Sequence, residues 1–134
     1  MITFDTSGLL ALVNRRDPDH RAVKAVMDEE VGPYLVPAGI LGELTYMIER
    51  RLGTKVLDLV LADLESGALT IDCGNDDLAR IRALVTKYAD LPLGFADAAV
   101  VACAERSGGR VVTLDTRDFG VVAREGTLSL LPLP

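Results

Sequence analysis

LPLGFADAAVVACAERSGGRVVTLDTRDF, residues 91–119, reads as a helix, a tight loop and a buried strand running into an acid. Pro92 precedes a long apolar run, as prolines do just before or at the first turn of a helix. Gly108 and Gly109 punctuate the end of that run, as glycines do just past a helix. Arg110 then leads into VVTL, a short β-branched run that ends in Asp115. Asp97 is the odd residue of the helix. Its neighbours three and four positions away are Leu93, Gly94, Val100 and Val101. A carboxylate among apolar side chains is costly unless it is paired, protonated or bound to a cation. Asp115 closes a strand of the kind found inside parallel sheets, and in open α/β sheets ligands sit beyond the carboxyl ends of such strands. Asp97 and Asp115 therefore call for something positive between them.

The rest of the chain repeats this grammar. MITFD (1–5) reads as a strand ending in Asp5, with Thr6 or Ser7 as the cap of the helix LLALVNRR. DPDH (17–20) is a turn, and His20 reads as a solvated loop histidine, with no Ser, Cys or second His nearby to build a nucleophilic or zinc site. A helix follows over 21–30, then a strand YLVP (34–37). The helix over 38–52 carries Ile40, Leu41, Leu44, Met47, Ile48 and Leu52 at helical spacing, with Glu43 beside the stripe in its first turns. Arg50 and Arg51 suit the negative pole at its end, and Gly53 stops it. A further helix spans 55–66, LTIDC (69–73) is a third strand, and Asn75-Asp76-Asp77 open a helix with Leu78, Ile81, Val85 and Tyr88 along one face. The acids of that opening read as cap and dipole partners. No element is assigned between Asp115 and a last short strand, LSLL (128–131). Strands alternating with helices predict an α/β domain, one unit over 1–134, with a mostly parallel sheet of four to five short strands and helices on both faces.

Composition narrows the function. About half of the 134 residues are apolar (49%), carried by Leu, Val and Ala, with no Trp. No uncharged apolar stretch reaches the ~18 residues of a membrane span, and the N-terminus lacks a signal-peptide layout. Cys73 and Cys103 have no metal-site spacing and read as reduced, buried thiols. The expected compartment is the cytoplasm. A net charge of −6 argues against a general nucleic-acid binder. The sum hides a distribution, however: arginine supplies eleven of the fourteen cations, with pairs at Arg15–Arg16 and Arg50–Arg51.

Asp5, Glu43, Asp97 and Asp115 form the candidate constellation. In a parallel α/β sheet their positions fall at one end of the molecule. Two unit charges at ~4 Å repel by about 4 kcal/mol at an effective dielectric of ~20. Either some of these acids are protonated or divalent cations bind them. Oxygen ligands without a His or Cys cluster favour Mg²⁺ or Mn²⁺ over zinc. Such a site suits metal-assisted phosphodiester hydrolysis. Thr6, Ser7 and Thr113 stand beside the acids as hydroxyl partners. The plainer alternative is that each acid caps a helix and faces solvent.

The chain resembles PIN domains, and specifically VapC-like toxins of toxin–antitoxin pairs. The resemblance rests on DTSGLLAL, the acid in GILGELTYMI, YADLPLGFADAAVVACAERSGG and the closing VVTLDTRDF, in the family's order over nearly the whole chain. It implies a PIN-like three-layer sandwich and an Mg²⁺- or Mn²⁺-dependent endoribonuclease. It puts the family's acidic quartet on Asp5, Glu43, Asp97 and Asp115, with Asp5 and Asp97 the foremost metal ligands and the others direct or through water. It puts the supporting hydroxyls on Thr6 or Ser7 and on Thr113, with Asp118 a secondary candidate. The implied partners are an RNA substrate, a cognate antitoxin and a second copy of the chain. Arg15, Arg16, Arg50, Arg51 and Arg117 are then candidates to hold RNA phosphates outside the acidic centre. Two rivals stand beside this reading. A phosphatase with an aspartyl nucleophile usually has a second Asp two residues on and a late lysine; here position 7 is Ser and no Lys follows Lys87. A non-catalytic PIN-like binding module has no need of four intact acids.

Overall fold

The structure, a computed structural model, describes residues 1–133. Pro134, the last residue of the expected domain, lies outside the described residues. Among the described residues five short strands form one sheet: β1 (Ile2–Phe4), β2 (Tyr34–Pro37), β3 (Thr70–Asp72), β4 (Arg110–Val112) and β5 (Ser129–Leu131). Their spatial order is β3-β2-β1-β4-β5, and every neighbouring pair is parallel. Thr3 lies between Leu35 and Val111, and Phe4 beside Val112. β1 and β4 are buried at nearly every position, as strands covered on both faces are.

Among the described residues seven helices connect the strands: α1 (Thr6–Val13), α2 (His20–Glu29), α3 (Leu41–Leu52), α4 (Thr54–Ser66), α5 (Leu78–Lys87), α6 (Phe95–Arg106) and α7 (Thr116–Ala123). A 3₁₀ turn, Ala38–Ile40, leads from β2 into α3. With this strand order the right-handed rule for parallel crossovers puts α1–α4 on one face of the sheet and α5–α7 on the other, in keeping with the contacts of α1 with α2 and α3, of α3 with α4, and of α5 with α6. The expected three layers and parallel sheet are what the chain forms. α6 is the central helix. Residues 98–104 are buried on all sides, because Ala98, Ala99, Ala102 and Ala104 are small enough to let it lie against both sheet and neighbouring helix. With Phe4, Leu9, Leu44, Leu84 and Phe119 it makes the core.

The structure departs from expectation at three places. α7 exists where no element was expected. Its short sequence contains Gly120 and two valines, poor helix formers, and it is held instead by burial of Phe119 and Val122 and by a cap from Asp115. His20 is not a solvated loop residue: it opens α2, and its Nδ1 lies 2.9 Å from the Ala11 carbonyl oxygen, tying α2 to α1. On α5, Ile81 and Leu84 face the core, whereas Leu78 and Val85 are exposed.

Candidate active site

The strand order reverses direction at β1: the chain steps outward to β2 and β3, then returns to β4 on the other side. The crevice beyond the carboxyl ends of β1 and β4 is where such sheets bind ligands. Asp5 sits at that point. Its N–H donates to the Val112 carbonyl at 3.2 Å, fixing the end of β1 to β4. Its backbone is extended, so its carboxylate turns back to cap α1 and accepts from the Gly8 N–H at 2.7 Å. Asp5 is therefore the cap expected at Thr6 or Ser7; Thr6 is already helical. Gly8 is required here, since a Cβ would lie 2.3 Å from the Val112 carbonyl oxygen.

Two hydroxyls complete the setting of Asp5. Ser7 Oγ donates to it at 2.8 Å, and Thr113 Oγ1 donates to its other oxygen at 2.6 Å. Both hydroxyls are held in turn: Ser7 Oγ accepts from the Leu114 N–H at 2.9 Å, and Thr113 Oγ1 from the Asp115 N–H at 3.0 Å. Asp115 lies three residues past β4 rather than at the strand's last position. The ladder's last bond runs from the Thr113 N–H to Leu131, where β5 ends before Pro132. Freed from the sheet, Asp115 caps α7 by accepting from the Asp118 N–H at 3.2 Å. Glu43, in the first turn of α3, is exposed and reaches Thr6 Oγ1 at 3.5 Å. Asp97 stands in the first turn of α6, where the helix's unpaired N–H groups favour a negative charge.

The four acids share one cleft of about 290 Å³. Asp97 records their convergence: its carboxyl is pushed up to about 6, first by burial, then by the charges of Asp115, Asp5, Asp118 and Glu43. Burial also raises Asp5, against the lowering effect of its bonds to Thr113, Gly8 and Ser7. Among the described residues none of the four acids takes part in an ion pair. Two further charged residues line the cleft, Asp17 and Arg51. The DPDH turn gave no signal that Asp17 would reach it, because only the packing of α1 beside α3 brings that turn over.

Among the described residues, no three His, Cys, Asp or Glu side chains stand close enough to cage a metal by themselves. The donor set is nonetheless all oxygen, and a hard cation such as Mg²⁺ takes one or two carboxylates and keeps several waters. Asp97, free of any ion pair and set beside Asp5, fits that role.

Two other titratable residues differ from expectation. Asp77 is at the cap position of α5 but makes no cap bond. It is buried and gripped by Arg106, at 2.6 Å from Nε and 2.8 Å from Nη2, while Arg106 also reaches Asp72 at 2.7 Å. The ionic contact wins because Arg106, ending α6, offers two aligned donors where the helix offers one N–H. Cys103 is buried as expected, 3.8 Å from Thr3 Oγ1, but Cys73 is exposed, because β3 ends at Asp72 and the edge of the sheet leaves it uncovered.

A five-stranded parallel sheet in this order, with acids gathered over its central crevice and helices on both faces, is the PIN-type α/β architecture. The chain belongs to the PIN-domain family, whose profile matches residues 2–125, and within it is VapC-like. It is 37% identical over 121 residues to Ribonuclease VapC26 of Mycobacterium tuberculosis, covering 89% of this chain and 90% of that protein. The fold matches the crystal structure of M. tuberculosis VapC20, a Sarcin-Ricin loop cleaving toxin, with a TM-score of 0.78 at 21% identity, over 90% of this chain and 95% of that one. It also matches VapBC2 from Rickettsia felis bound to a DNA fragment from their promoter, with a TM-score of 0.71 at 16% identity over the full length of both chains. Among the described residues, no helix is long and apolar enough to cross a membrane.

Proposed function

We propose that this protein is a divalent-metal-dependent endoribonuclease, working with Mg²⁺ or Mn²⁺, and the toxin of a toxin–antitoxin pair. The observation that carries the reading is the convergence on Asp97 of three other quartet acids, with no cation among the described residues paired to them. Asp5 and Asp97 would hold the cation, with Glu43 and Asp115 binding it directly or through water. Bound there, the cation supplies an activated water and offsets the charge that develops on the phosphate. Ser7 and Thr113 keep the Asp5 carboxylate in one orientation, and Gly8 and Asp115 fix the backbone around it.

The phosphatase alternative is disfavoured by the same geometry. Both Asp5 oxygens already accept hydrogen bonds, which blunts a nucleophile, and among the described residues no lysine lines the cleft. The chain acts as one domain over residues 1–134, in the cytoplasm. The partners are RNA, a second copy of the chain, and a cognate antitoxin. The relatedness to VapC proteins supports an antitoxin, and an arginine from it would meet an unpaired acidic cleft.

The test is cleavage of total cellular RNA by purified protein with Mg²⁺, Mn²⁺ or EDTA, beside Asp97→Asn. Discrete metal-dependent fragments absent from the variant are expected. Equal cleavage by both proteins would remove the assignment of Asp97. No cleavage, with no metal binding by calorimetry, would favour a non-catalytic binding module.

A further inference from the structure

Resting on the ribonuclease reading, we propose that the groove between α1–α2 and α3–α4 is the track for the RNA strand beyond the scissile phosphate, with Arg15, Arg16 and Arg51 holding its phosphates. A cleft of unpaired carboxylates repels every phosphate except the one a cation holds. The flanking strand must therefore leave over positive surface. The groove, of about 900 Å³, opens beside the acidic cleft, and among the described residues Arg51 alone lines both. Arg15 and Arg16, exposed in the loop after α1, continue the positive edge.

These three arginines differ from others in the chain. Arg80, Arg106 and Arg110 are committed to Glu105, Asp77 and Glu30. No carboxylate among the described residues lies within ion-pair distance of Arg15, Arg16 or Arg51. Of the groove's two carboxylates, Asp28 is held by Lys24 at 3.3 Å, leaving Asp63 on the α4 side. Cations are thus in excess there, in a protein of net charge −6. The groove is also lined by the rings of Tyr34 and His20, the kind of side chain on which bases stack while cations track the backbone. Arg50 and Arg117, equal candidates by sequence, line neither cavity.

The experiment measures binding of a fluorescein-labelled 12-nucleotide single-stranded RNA of mixed sequence by anisotropy, across salt concentrations, in the Asp97→Asn background. Each phosphate contact contributes about 0.7 to the slope of log affinity against log salt. The triple variant Arg15→Gln/Arg16→Gln/Arg51→Gln should flatten that slope by about 2 and weaken binding roughly ten- to hundredfold near 0.1 M salt. The corresponding lysine variant should keep most of the slope. Arg82→Gln/Arg124→Gln, on α5 and at the end of α7, should leave it unchanged. Circular dichroism melting checks that each variant folds. In parallel, the arginine variants are made with Asp97 intact and assayed on total RNA. If the parent chain cleaves RNA and the triple variant binds and cleaves as the parent does, the track is overturned and the groove is left to a protein partner. If the parent chain neither binds nor cleaves RNA, the ribonuclease reading falls and the track with it.

Discussion

Thr113 Oγ1 donates to Asp5 Oδ2 at 2.6 Å and accepts from the Asp115 N–H at 3.0 Å, so one hydroxyl joins two acids that are 110 positions apart in the chain. Thr113 itself is buried. Replacing it with valine keeps the shape and removes both bonds. Thr113→Val is expected to destabilise by about 2 kcal/mol, as read by urea denaturation, and to weaken stabilisation by Mg²⁺. Thr113→Ser should retain most of both. Equal behaviour of the two variants would show that shape, not the hydroxyl, matters at this position.

Asp97 makes stability depend on pH in a definite direction. Its carboxyl is raised from the ordinary 3.8 to about 6, so the native state holds a proton that the unfolded state has released between those values. Without divalent metal, stability should rise as pH falls from 7 to 5, and be lost as pH climbs through 6. Asp5, also raised, acts in the same direction. Asp97→Asn should flatten this dependence and stabilise the metal-free protein at pH 7 by roughly 1 kcal/mol, a value reduced for its partial exposure to solvent. The same change should abolish the rise in Tm with added Mg²⁺ or Mn²⁺. Thermal melts at pH 5 and 7, with and without metal, check all of this.

Gly8 is the point of closest approach between α1 and β4. A methyl group would meet the Val112 carbonyl oxygen at 2.3 Å, against backbone that cannot turn aside. Gly8→Ala should cost roughly 3 kcal/mol and, by shifting Asp5, lower RNA cleavage as well. Gly42→Ala, in the first turns of α3 with open space around it, is the control and should leave stability unchanged or slightly raised.

The Arg106–Asp77 pair, which lines no part of the acidic cleft although Arg106 ends the helix that carries Asp97, is a structural fastener. Arg106→Gln leaves Asp77 buried without its partner and should cost about 2–3 kcal/mol, given that Arg106 itself is partly exposed. Replacing both, Arg106→Met with Asp77→Leu, should recover most of the loss. Urea denaturation of the single and double variants tests it; a double variant no better than the single would overturn the account.

Alternating strands and helices, and an acid just after several strands, were legible because both are local. β-branched runs such as VVTL mark buried strands, and the stripe from Ile40 to Leu52 marks a helix face. Asp97 also stood out by sequence alone, since apolar neighbours three and four residues away already make its charge costly. The PIN resemblance set the order of the acids along the chain. What tertiary structure decided was everything that depends on which distant surfaces meet. α7 forms because Phe119 and Val122 find the core, not because its residues favour a helix. Asp77 binds Arg106 instead of capping, Cys73 lies open at the sheet edge, and His20 ties two helices together. Asp17 and Arg51 reach the acidic cleft, and among the described residues Arg51 alone lines both that cleft and the adjoining groove. Local periodicity fixes which face of an element is buried. It carries no information on which charge will lie across from which, because that is set by the packing of whole elements against one sheet.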